Sequence, residues 1–462
     1  MVAASLLQWR LSCRTYTIAT MIAALGILYG HFLHDPGQVP MLQIAALYPH
    51  NVTFFTNLPT STSGQSIQIR PWPDANIHNN IRSNTDLFDE TAWRTAFQHS
   101  TTTVPATSLQ PQHCYTYQYH TKQHTLHGAF CTPPAPSSPT PSFRAMFGSC
   151  LAVNPIPPFH RLRAFEWAWS TLRPQVVFLL GDLVYTDVEE TWLWFLRVPA
   201  KLAWYRTWQV PSLEKLLRLV PAVLMHDDHE IENGWDGSVL ARHAAALKEM
   251  AFWTHGRKRQ VWNYGKDVTV FVVDTRSFRH TGSILGDKQW GALEAWFNAT
   301  SSATWRIVAS PSLVASSLGT SLLDDGDGGW NLFPKDRDKL LALAGASTAA
   351  GTTVFLSGDV HWGLAVEHRL AGNRSVWEFG ASPFQALPFP TPSATTRREG
   401  VVGMGREEEE EEVVHFLAGS GYYFGSFRYD ERDASLTVCI QTTSMLTGET
   451  KEVYAKQLFA EE

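Results

Sequence analysis

From residue 143 onward, short apolar runs alternate with stretches of helical period. The runs are FRAMF, VVFLL, AVLM, VTVFVV and TVFL, and each stops abruptly at polar residues. They are too short and too continuous for amphipathic helices, so they predict strands covered on both faces. Between them, Arg161 to Leu172 places Leu162, Phe165, Trp169 and Leu172 on one helical face, and Asp287 to Phe297 does the same with Trp290, Leu293 and Phe297. Strands alternating with helices predict an α/β layered domain, whose ligands bind beyond the carboxyl ends of the strands.

The segments before it carry different patterns. Residues 41–131 hold short alternating stretches such as VTFFT and SIQIR, broken by Pro and Gly, which predict a small all-β domain. Residues 132–142, TPPAPSSPTPS, have no apolar period and read as an extended linker to a domain spanning 143–462. Residues 15–33 carry no Lys, Arg, Asp or Glu, whereas Arg10 and Arg14 lie in the stub 1–14 before them. About 19 residues at a helical rise reach across roughly 30 Å of hydrocarbon. The segment therefore predicts an N-terminal hydrophobic helix acting as signal anchor or signal peptide, with the body translocated into the secretory pathway, either anchored or extracellular. The six consecutive residues Glu407 to Glu412 predict a solvated loop.

Composition narrows the function. Apolar residues make up 44% and the formal net charge is −6, so the chain buries a sizeable core and has no electrostatic drive toward nucleic acid. The five cysteines rule out a complete disulfide set. Cys114 and Cys131 bracket a hairpin-like stretch whose turn at Thr121 to Thr125 would set them opposite each other, as a bridge or as two buried thiols. Cys13 lies before the apolar run, Cys439 sits in the strand-like SLTVCIQTT as a core hydrophobe, and Cys150 stands at a strand end. Sequons at Asn51, Asn298 and Asn373 agree with translocation and a glycoprotein.

The strand ends collect Cys150, Asp182, Tyr185, Asp227, Asp228, His229, Asp359 and His361. Singly, each has a structural explanation such as a cap or an ion pair. Together, converging carboxylates repel one another unless they are protonated or bridged by cations, which points to a multinuclear metal site. A thiolate and a phenolate suit iron, and the remaining carboxylates suit a hard cation such as calcium.

The blocks G-D-L-V-Y at 181–185, D-D-H-E at 227–230 and G-D-V-H at 358–361 resemble those of calcineurin-like metallophosphoesterases. With Gly148-Ser149-Cys150, Asp274-Thr275-Arg276 and S-G-D-V-H-W at 357–362, they resemble the PhoD-type alkaline phosphatase family. The resemblance implies a layered metallophosphatase sandwich preceded by a β-sandwich-like domain. It implies Fe3+ held by Cys150 and Tyr185, Asp182 bridging toward Ca2+, and Asp228, Asp359 and His361 filling the remaining positions, with Asp227 or Asn233 as substitutes or additions. His229 would be a general acid, and Arg276 either a phosphate clamp or a partner of the neighbouring acids. The implied reaction is attack by a bridging hydroxide on a phosphate ester substrate, a phosphomonoester or also a phosphodiester, rather than attack by Ser149. The strand WRIVASPS lacks the further His of ordinary calcineurin-like enzymes. The rival of a different class is a surface interaction protein with an inactive metallophosphatase fold.

Overall fold

The computed structural model describes residues 109–153 apart from 121–124, then 161–187, 199–254, 260–315, 329–346, 352–386 apart from 373, 388–390 and 411–460. It also describes strands at 42–47, 52–56, 66–71, 100–104 and 401–404. The N-terminal helix expected at 15–33, and Cys13, lie outside the described residues. Among those described, no helix is long and apolar enough to cross a membrane.

Two mixed sheets form the body. The first runs in the order Thr450–Leu458, Ser435–Thr443, Tyr423–Asp430, Phe143–Gly148, Val176–Leu180, Ala222–Met225, with the last three strands parallel. The second has eight strands, among them Val268–Val272, Trp305–Ser310, Thr352–Ser357 and Arg374–Ala381 in parallel succession.

Alternation along each strand decides what it packs against. Ala145, Phe147, Phe178 and Leu180 of the first sheet share a core with Val270, Val272, Ile307 and Leu356 of the second. The opposite-face residues Met146, Val177, Leu179 and Leu224 pack against Trp204, Trp208, Leu213 and Trp253. Those partners come from helices Ala200–Trp208, Pro211–Leu217 and Ala244–Trp253. On the far side, Phe271, Val308 and Phe355 pack against Trp290, Leu293 and Leu340 of helices Gly286–Ala299 and Pro334–Gly345. The result is helix, sheet, sheet, helix, which is why the strand runs are continuously apolar. The expected helix near residue 161 forms as Arg163–Trp167 and widens into a π-type turn over Ala168–Leu172.

Before this body, strands 42–47, 52–56 and 100–104 form one three-stranded sheet, and 66–71, 114–120 and 125–131 another. The hairpin register sets Cys114 opposite Cys131, and the two are joined in a disulfide. This part is fastened to the body, since the buried Tyr117 hydroxyl donates to the carbonyl of Arg218 at 2.8 Å. The stretch 132–142 turns at Ala135 to Ser138, where the Ser138 N–H donates to the Ala135 carbonyl at 2.9 Å, and it is pinned: Thr140 Oγ1 donates to the carbonyl of Tyr264 at 3.0 Å, and the Lys266 N–H donates to the carbonyl of Ser138 at 3.0 Å.

Two expectations fail. Cys439 is half-buried rather than in the core, because Val438 and Ile440 on either side take the core face of its strand. The Glu run is not a solvated loop throughout. Glu411–Ala418 is a strand, and the buried Glu412 pairs with buried Arg337, whose Nε also donates to the carbonyl of Val314 at 2.9 Å. A buried guanidinium supplies what the like-charged run cannot.

Removing one partner of a buried ion pair strands the other charge, at a cost of about 3–5 kcal/mol. Glu412→Ala should lower stability by that amount in urea denaturation, and the Arg337→Leu/Glu412→Leu double variant should recover most of it. Equal losses in both variants would mean that packing, not charge, is what the pair provides.

Candidate metal centre

Each strand of the two parallel sets delivers a polar loop to the same edge. Cys150 follows Phe143–Gly148, Asp182 and Tyr185 follow Val176–Leu180, and Asp227 to Glu230 follow Ala222–Met225. From the second sheet, Asp274 to Arg276 follow Val268–Val272, and Asp359 to His361 follow Thr352–Ser357. The turns are tight: Cys150, Asp182, Asp359 and His361 have φ of 66°, 52°, 70° and 56°. A non-glycine residue in that region costs of order 1–3 kcal/mol and persists only where the surroundings over-determine it. Gly181 makes one of these turns possible, at φ 97°, where an added Cβ would lie 2.6 Å from the Cβ of Asp227.

The side chains converge on Asp182. Its Oδ2 lies 3.4 Å from Cys150 Sγ and 3.2 Å from the Tyr185 hydroxyl, which is in turn 3.2 Å from His361 Nε2. Among the described residues there are three sets of candidate ligands whose atoms lie within 4.8 Å of one another: Cys150, Asp182 and His361; Asp182, Asp228 and His229; and Asp182, Asp227 and Asp359. Asp182 belongs to all three. His361 is fixed from behind by Phe389, stacked at 4.7 Å.

The electrostatics leave these groups either protonated or in need of a cation. Burial, reinforced by neighbouring acids, pushes Asp182 and Asp359 well above the usual carboxylate range, and burial plus Asp182 do the same to the Cys150 thiol and the Tyr185 phenol. Burial also acts against Asp228, but Arg276 and His229 outweigh it and hold that carboxyl at about 2. Asp227 Oδ2 and Asp228 Oδ1 are buried and accept no hydrogen bond. Buried acids with unsatisfied oxygens, grouped with a thiol, a phenol and an imidazole, fit cations of the kind the sequence suggests.

The remaining predicted residues are present with specific partners. His229 directs Nδ1 at the Asp187 carboxylate at 2.8 Å, and its ring lies 4.2 Å from that of Tyr185. Burial opposes its protonation, but Asp182, Asp228 and Asp187 together raise its pKa well above the imidazole value. Arg276 is fully buried, its Nε bonded to Asp227 and its Nη2 3.4 Å from Asp228 Oδ1. Asn233 contributes its backbone N–H, to Asp187. Trp362 packs with Leu313, Leu364 and Leu417. At the end of Trp305–Ser310, Ser312 Oγ bonds to Thr275 Oγ1 at 3.0 Å.

Sequence reasoning missed Asp187, Glu230 and Ser382. Asp187 stands two residues beyond Tyr185, and Glu230 closes the D-D-H-E block, where it accepts the N–H groups of Leu183 and Asp227 at 2.6 and 2.9 Å. Both were visible as polar residues at strand ends. Ser382 lies 3.0 Å from Cys150 Sγ. It gave no signal, because its strand Arg374–Ala381 is interrupted by Glu378 and does not read as an apolar run.

A family model described as PhoD-like phosphatase matches residues 147–438, more than half of the chain and every loop of this site. The chain belongs to the PhoD-like phosphatase family. A solved structure described as "Structure of PhoD" matches with a TM-score of 0.63 at 15% identity, covering 92% of this chain and 90% of that one, which shows the shared fold. Two others align at lower similarity. One is GAP50, the anchor in the inner membrane complex of Plasmodium, with a TM-score of 0.39, 12% identity and coverage of 70% and 90%. The other is a dimetal phosphatase from Danio rerio, with a TM-score of 0.40, 10% identity and coverage of 68% and 99%. No curated protein sequence matches.

In a PhoD-like phosphatase built this way, removing the shared carboxylate should cost more metal than removing a peripheral ligand. Asp182→Asn should lose nearly all bound metal in elemental analysis, whereas Cys150→Ser should keep part of it. Equal retention by both variants would mean that the carboxylate common to the three sets holds no more metal than a residue of one set.

Proposed function

We propose that this PhoD-like phosphatase hydrolyses phosphomonoesters, with phosphodiesters as a second substrate class. The observation that carries the proposal is the membership of Asp182 in all three candidate ligand sets, at the one edge where both sheets deliver their loops. Cys150, Tyr185 and His361 would hold Fe3+, and Asp182 would bridge from it to Ca2+ held by Asp228 and Asp359, with Asp227 beside them. Bound there, the cations supply Lewis acidity toward the phosphate and toward the attacking water.

The protein's own residues divide the rest of the work. Asp187 fixes the imidazole of His229 through Nδ1, which leaves Nε2 to donate a proton to the departing alkoxide. Arg276 balances the charge of Asp227 and Asp228 and keeps their unsatisfied oxygens in place. As a direct clamp on phosphate oxygens it would have to share its guanidinium with these acids. An inactive surface protein would gain nothing from burying so many acids with a thiol. We further place the body in the secretory pathway, extracellular or held at a membrane by the segment 15–33. The Cys114–Cys131 disulfide supports an oxidising compartment.

The deciding experiment assays one preparation on a monoester and a diester alongside elemental analysis. Iron and calcium with ester hydrolysis are expected, together with reversible loss of activity on calcium chelation. Protein lacking both metals and inert on both substrates would exclude the proposal. The His229 role has its own check. Asp187→Asn should lower kcat by about 10²–10⁴ for an alkyl ester, which needs its leaving group protonated. It should lower kcat far less for an aryl ester with an acidic leaving group. A uniform loss on both esters would take the proton-donor role away from His229.

A further inference from the structure

Cys150 is wholly buried, yet its sulfur is not in an apolar setting. Ser149 Oγ and Ser382 Oγ each lie 3.0 Å from Sγ. The Asp182 carboxylate at 3.4 Å and the Asp359 carbonyl at 3.6 Å are the next groups around it.

Ligation decides the direction: as a thiol, Cys150 donates to Asp182 or Asp359, and between it and Ser149 Oγ either atom can donate. A ligating sulfur is a thiolate and only accepts, so both hydroxyls must donate to it. Ser149 Oγ already accepts the N–H of Asp359 at 2.9 Å, which leaves its own proton for the sulfur. Ser382 Oγ has one alternative acceptor, the Asp359 carbonyl, at the longer distance of 3.4 Å.

The backbone holds this arrangement in place. The Phe384 and Gln385 N–H groups donate to the carbonyls of Ser149 and Cys150 at 2.9 and 3.0 Å, so the segment after Arg374–Ala381 lies along the Cys150 loop. Ser149 precedes Cys150 in the chain, and Ser382 reaches it from the second sheet, 232 residues away. Hydrogen bonds to a ligating sulfur withdraw electron density from the metal–sulfur bond, a recognised way for a protein to tune a bound metal.

We infer that Ser149 and Ser382 are positioning residues that donate a pair of hydrogen bonds to the Cys150 thiolate and set how strongly it donates to the metal. The inference rests on the metal-binding proposal above. Its effect falls on the metal's electronic structure more than on metal affinity. With fewer hydrogen bonds the sulfur is a stronger donor, so sulfur-to-metal charge transfer needs less energy, and the oxidised state of a redox-active metal is favoured.

The full-length protein, stripped with chelator and reloaded with Co2+ alone, provides the test, because a thiolate–cobalt charge-transfer band reports the sulfur directly. The band should be present in the wild type and absent in Cys150→Ser. Ser382→Ala should move it to lower energy at unchanged cobalt stoichiometry, Ser149→Ala likewise, and the double variant further. Ser382→Thr, which keeps the hydroxyl, should leave it near the wild-type position, which separates loss of the donor from loss of local packing. A band that stays fixed in Ser382→Ala and in the double variant would overturn the inference while leaving Cys150 as a ligand. A wild type with no thiolate band would overturn the metal assignment of Cys150 itself, and the inference with it.

Discussion

The repulsion among buried carboxylates at one sheet edge is the constraint that the rest of the molecule accommodates. Asp182, Asp227, Asp228 and Asp359 are brought together out of water, with Arg276 as the buried guanidinium paired with two of them. Such a group is unstable in a low-dielectric interior unless cations enter or protons stay on. Two rigid sheets hold it together. Their shared core fixes the angle at which the strand ends meet, and the left-handed backbone at Cys150, Asp182, Asp359 and His361 turns each side chain inward within a residue or two of its strand. Turn strain and charge repulsion are both borne by packing far from the site.

The surrounding polar groups are arranged for the same end. Glu230 caps two backbone N–H groups beneath the site, Asp187 orients His229 from behind, and the serine hydroxyls line the sulfur. Each contact fixes a residue of the candidate centre, and such supporting groups govern metal sites almost as strongly as the ligands do. The family model spans residues 147–438, which hold all of these groups, and the match to a PhoD structure shows the shared fold.

Much of this was legible in the sequence because strands covered on both faces leave an unmistakable signature. FRAMF, VVFLL, AVLM, VTVFVV and TVFL each became a strand, and the loop after each run lies at the edge where the candidate ligands gather. The opposition of Cys114 and Cys131 was readable too, since register follows from turn position, and of the two readings left open there the structure has the bridge. What escaped notice depends on contacts between distant segments. Ser382 reaches Cys150 across 232 residues, and Glu412 changes from solvated to buried only because Arg337 of another element meets it. Cys439 was assigned to the core from the apolarity of its strand, although alternation within that strand gives the core face to its neighbours. Segment composition sets which elements form, and pairing between elements sets what their polar residues do.

In the proposed centre the Asp182 carboxylate is shared between cations. Anomalous diffraction from crystals of the metal-replete protein tests it most directly. Two peaks flanking that carboxylate are expected, one of them in contact with Cys150 Sγ and the Tyr185 hydroxyl. Density with no peak at Asp182, or a single peak that avoids the thiolate and the phenol, would contradict it.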